Sequence, residues 1–81
     1  MQIKHIIELI EQFSETELSQ AEASLLEEQA PQIAVPGVDE GEQLTHVIAA
    51  LWCKNEMKES GSDARTAVRK YTQKVRNSIS K

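Results

Sequence analysis

The chain has 81 residues, 13 acidic and 9 basic side chains, a formal net charge of −4 and an isoelectric point near 5.1. That length holds one domain, residues 1–81, and Leu, Ile, Val and Phe make up 19 of the 81 residues, just above the level at which chains stay disordered. A lone cysteine, Cys53, excludes an internal disulfide framework and a multi-cysteine zinc site, and no apolar run reaches the roughly 18 residues of a membrane span.

At the N-terminus, Ile3, Ile6, Ile7, Ile10 and Phe13 repeat at the spacing of one helical face, with Lys4, Glu8 and Glu11 opposite, which predicts a first helix over about residues 2–12. Glu8 and Glu11 interrupt the apolar core a signal peptide needs, so the mature protein is expected to span the whole chain in a reducing, cytoplasmic setting. Ser14 and Glu17 have capping-box spacing, with Phe13 and Leu18 as the accompanying hydrophobic staple, so a second helix begins at Glu15 after a tight corner. It buries Leu18, Ala21 and Leu25, with Leu26 as a further candidate, and Pro31 ends it near Gln29.

Residues 31–38 carry Pro31, Pro36 and Gly37, with Ile33 and Val35 at alternate positions. They predict an extended connector whose apolar side chains lie across helices, with a short β pairing as an option that Pro36 limits. Asp39, as cap, and Glu42, three residues on, start a third helix over about 40–59 that stops at Gly61. Ser62 is the expected cap of a fourth helix with the stripe Ala64, Ala67, Val68, Tyr71, Val75 and Ile79. The predicted architecture is a compact all-α domain of four helices with one extended, Pro-containing connector between helices two and three.

Helix three is the informative element. Leu44, Val47, Ile48 and Leu51 form one apolar face with Trp52 at its edge, and His46, Ala49, Ala50, Cys53 and Met57 form a second, nearly opposite. A helix apolar on two sides is either the centre of its own domain or shared with another chain. A chain this short gains from a second copy that helps cover its apolar surface. The small residues of the second face admit a close neighbour, so His46, Ala49, Ala50, Cys53 and Met57 are the candidate seam of a homodimer. Gly41, in the first turn of the helix, suggests either a close-packed backbone or an ordinary tolerated glycine.

Chemistry finds little support. His46 and Cys53 share a face but stand about 10.5 Å apart, too far to ligate one ion alone. Glu42 and His46 have the spacing of a surface ion pair, without a nucleophile at a recognisable distance in sequence. Asp39, Glu40 and Glu42 lack the alternating ligands of a calcium loop, and their charge would repel a phosphate from the helix start. No cofactor, metal or catalytic residue is assigned.

Charge is divided sharply: residues 1–61 hold 12 acids and 3 bases, whereas residues 62–81 hold Asp63 against Arg65, Arg69, Lys70, Lys74, Arg76 and Lys81. A basic C-terminal helix raises nucleic acid as a partner. The arginines and lysines, however, fall on opposite borders of the apolar stripe, and the rest of the chain repels phosphate. Helix two, with Glu15 and Glu22 on one border and Glu17 and Glu28 on the other, is the better match for those bases. Helix four is therefore expected beside helix two of the same chain or of a second copy.

The stretches Asp39-Glu40-Gly41-Glu42-Gln43-Leu44-Thr45-His46 and Tyr71-Thr72-Gln73-Lys74-Val75-Arg76 resemble a family of short bacterial proteins classed as a domain of unknown function. The likeness spans nearly the whole chain and implies a free-standing small protein; it carries no activity or site residue over. The sequence thus reads as a cytoplasmic, homodimeric interaction or accessory module, not an enzyme, binding neither nucleic acid nor membrane and open to a further protein partner. The alternatives are nucleic-acid association through the basic helix and a thiol-redox role for Cys53.

Overall fold

A computed structural model describes residues 2–79, the last two by their backbone alone. Four helices form it: α1 (Ile3–Gln12), α2 (Glu15–Leu26), α3 (Glu40–Ser60) and α4 (Ala64–Ile79), and the described residues contain no strand. The connector between α2 and α3 is extended without β pairing, and it tucks Val35 into the core and Ile33 partly so, leaving Gln32 and Ala34 exposed.

Local chemistry sets the ends of the helices. Ser14 Oγ accepts from the Glu17 N–H at 3.2 Å while Glu17 Oε1 accepts from the Ser14 N–H at 2.9 Å, completing the capping box. Asp39 Oδ1 accepts from the Glu42 N–H at 2.8 Å to start α3, and Gly61, at φ 72°, ends it. The cap of α4 is Asp63, whose Oδ1 accepts from the Thr66 N–H at 2.8 Å and whose carboxyl this bond holds below its usual range; the expected cap, Ser62, bonds Ser60 instead.

α2 stops at Leu26, three residues before the expected end. The Gln29 N–H reaches the Ser24 carbonyl at 2.8 Å and the Glu28 N–H reaches Leu25 at 3.1 Å, closing a Schellman turn around Glu28 at φ 60°. No glycine marks that turn in the sequence. Gly41 also departs from the close-packing option, since a Cβ there would meet only Asp39 Oδ1 at 3.4 Å. The glycine that packing requires is Gly37, where a Cβ would lie 2.8 Å from the Gln43 backbone nitrogen.

Helix α3 is the hub: α1, α2 and α4 all pack on it, and α1 also packs on α4. Gln2 and Ile10, at the two ends of α1, bond His46 and Lys54 respectively, so α1 runs parallel to α3. Glu15 pairs with Lys58 near one end of α3 and Leu25 lines a recess with Gln43 near the other, so α2 runs antiparallel. Lys70 pairs with Glu56 at 2.9 Å and follows Gly61 closely in the chain, and the Tyr71 ring lies 5.6 Å from Trp52; α4 is antiparallel too.

The core combines Ile6, Leu9 and Ile10 of α1, Leu18, Ala21 and Leu25 of α2, Val47, Ala49, Ala50 and Cys53 of α3, and Ala67 and Val68 of α4. Each larger side chain among them contributes about 1.5–3 kcal/mol by leaving water. Leu9 enlarges the face of α1 that the isoleucine spacing marked, while Ile3 stays 50% exposed. The Ile79 side chain, assigned to the α4 stripe, lies outside the described residues. The whole measures 31 × 30 × 18 Å, a slab roughly two helices thick.

Candidate interaction face

The expected seam is not on the surface. His46, Ala49, Ala50 and Cys53 are fully buried within the single chain and Met57 is half-buried against the same core. The small side chains do admit close neighbours, but the neighbours belong to the core of the same molecule. The second apolar face of α3 is therefore interior at His46, Ala49, Ala50 and Cys53, which cannot form a seam between copies while the fold is intact, whereas Met57 keeps part of its surface.

His46 is a structural node. Its Nδ1 lies 2.8 Å from the Pro36 carbonyl and its Nε2 accepts from the Gln2 N–H at 3.0 Å, so the ring is the neutral tautomer that donates from Nδ1. Both nitrogens are used, and the expected ion pair with Glu42 does not form; Glu42 Oε1 accepts from the Val38 N–H instead. His5 meets the His46 ring edge-on, with centroids 5.3 Å apart. Lys54 Nζ donates to the Ile10 carbonyl at 2.9 Å, satisfying an end carbonyl of α1 with a cation that α1 itself lacks in its last turn. Nothing in the local sequence pairs residues 44 positions apart, so this contact had no signal in the chain.

Burial pushes the Cys53 thiol up to about 11, with the Glu56 carboxylate adding to the shift. A buried thiol held protonated is a poor nucleophile, which weighs against the redox reading. Among the described residues no three His, Cys, Asp or Glu side chains converge as a metal site, and no helix is long and apolar enough to cross a membrane.

The first apolar face of α3 is open in part, Val47 being fully buried in the core. Ile48 is 40% exposed, and Leu44, Leu51 and Trp52 are half-buried around it. Two positions apart on a helix are about 160° apart around it, so Lys58, which pairs with α2, and Glu56, which pairs with α4, sit on opposite sides of α3. Ile48, Asn55 and Thr45 lie in the arc between. The open face is thus a shallow trough with α3 as its floor, α2 as one wall and α4 as the other.

This geometry corrects the expectation that α4 lies beside α2 within one chain; α3 separates them. The wall on the α2 side carries Glu15, Glu22 and Leu26, which share one border of that helix; Leu26 is 63% exposed, not buried with Leu25 as its place in the helix allowed. The wall on the α4 side carries Lys70 and Lys74. Arg65 and Arg69 lie on the far border, lining a recess of about 220 Å³ with Ile3, Ile7, Val68 and Thr72 of α1 and α4. The basic residues of α4 therefore divide between two surfaces, as their spacing indicated.

Comparison with curated proteins and with solved structures finds no match for the chain. A family model does match, over residues 1–80. The chain belongs to DUF6952, a family of unknown function.

Proposed function

We propose that the chain is a small cytoplasmic homodimeric module for protein interaction, without catalytic chemistry of its own, and that two copies meet through the open face of α3. The observation that carries this reading is the apolar strip Leu44, Ile48, Leu51 and Trp52, left uncovered at Ile48 on the helix that forms the centre of the core. A slab two helices thick offers little further depth in which to bury such a strip. A second copy covers it, and the acidic and basic walls give that copy a complementary surface. The test is Ile48→Arg: the variant stays helical and loses the dimer. A folded Ile48→Arg protein that keeps the wild-type dimer mass would move the interface away from α3.

A further inference from the structure

The open face of α3 carries more than apolar character. Leu44, Ile48, Leu51 and Asn55 are spaced four, three and four apart, the a/d repeat of a coiled-coil seam, with Ile48 and Asn55 at one kind of position and Leu44 and Leu51 at the other. β-branched residues at a with leucine at d favour two parallel strands, and a single asparagine at a sets their register by pairing with its own copy. Asn55 is exposed and Ile48 is the most exposed apolar residue of the helix, so both are available for that pairing.

The walls supply an independent argument. Both are antiparallel to α3, and both are anchored at its C-terminal end, α2 by Glu15 on Lys58 at 3.0 Å and α4 by Lys70 on Glu56 at 2.9 Å. From there, Glu22 lies about 10.5 Å along α2 and Lys74 about 6 Å along α4. Because Lys58 itself stands about 3 Å beyond Glu56, Glu22 and Lys74 come to nearly the same height. A twofold axis parallel to α3 exchanges the walls at constant height, setting the α2 border with Glu22 of one copy against the α4 border with Lys74 of the other, while Glu15 and Lys70 keep their pairs with Lys58 and Glu56. A twofold perpendicular to α3 would set acid wall on acid wall and basic wall on basic wall.

From these two observations we infer that the copies associate about a twofold parallel to α3, with the two α3 helices parallel and in register, Asn55 facing Asn55, and α2 of each copy against α4 of its partner. This rests on the homodimer proposed above and fixes its symmetry. The expectation that helix four meets helix two is then satisfied between copies.

Cysteine cross-linking of the intact chain tests the register. In a Cys53→Ala background, Ile48→Cys and Asn55→Cys are each oxidised under mild conditions and run without reductant. A parallel, in-register pair cross-links both variants to most of the protein, because each residue meets its own copy. An antiparallel pair can bring at most one of two positions about 10.5 Å apart onto its twofold. A dimer in which only one variant, or neither, cross-links overturns the parallel register and leaves the homodimer standing; a monomer by mass overturns both. Charge exchange gives a second reading at surface positions that leave folding intact. Glu22→Lys weakens association about tenfold and Lys74→Glu added to it restores the wild-type value; no restoration overturns the meeting of α2 with α4.

Discussion

The imidazole of His46 donates to the carbonyl of Pro36 across 2.8 Å, and through this bond the connector is fastened to the central helix. The other ring nitrogen takes the Gln2 N–H, so one side chain joins the N-terminus, the connector and α3. His46→Ala leaves a cavity and two backbone groups without their partner. A loss of about 2–4 kcal/mol is expected in urea unfolding, with α3 itself retained in the folded state. A loss below about 1 kcal/mol would show that water replaces the ring without consequence.

Two glycines four residues apart have opposite expected tolerances. Gly37 has φ 152° and no room for a Cβ beside the Gln43 nitrogen, so Gly37→Ala forces the connector off the start of α3 and costs about 2 kcal/mol or more. Gly41 has helical neighbours and only Asp39 Oδ1 nearby, so Gly41→Ala is neutral or stabilising by about 0.5 kcal/mol. Thermal melts of the pair of variants check both signs.

Glu28 occupies the left-handed position after α2 that glycine adopts without steric cost. Glu28→Gly relieves that conformation, partly offset by the greater freedom it gives the unfolded chain, and is expected to raise stability by about 0.5–1 kcal/mol in denaturant titration.

Cys53 links alkaline pH to stability. Its thiol is raised from near 9.0 to about 11, so the folded chain holds the proton more tightly than the unfolded one. The stabilisation is complete below about pH 9 and is lost as pH rises toward and through 11. Burial, and then Cys53 itself, raise the Tyr71 hydroxyl in the same sense. Stability measured at pH 8 and pH 10.5 should fall less in Cys53→Ala than in the native chain. At pH 8 the native thiol should react with a disulfide reagent about a hundredfold more slowly than the same thiol in urea.

Local signals carried the fold well because they are written in neighbouring residues. Ser14 with Glu17 and Asp39 with Glu42 each mark a helix start with a side chain three positions from its target, and Gly61 marks a helix end by adopting the left-handed conformation itself. The end of α2 has no such mark, because its left-handed turn is made by Glu28 and not by glycine. The interaction face was half legible: the two apolar sides of α3 are plain from the wheel, whereas which side faces inward depends on where α1 and α4 pack. Alanine and cysteine admit a neighbouring helix of the same chain as readily as one from another, so small size could not choose between them. The face with exposed Ile48 between half-buried Leu44 and Leu51 became the candidate only once the core had taken the other.

The measurement closest to the central proposal is the molar mass of the native chain by light scattering after size exclusion, over a dilution series from about 100 μM downward. Twice the chain mass of 9.1 kDa is expected at the upper concentrations, and the mass of one chain for Ile48→Arg over the same series. A mass of one chain for the native protein throughout the series would contradict the homodimer.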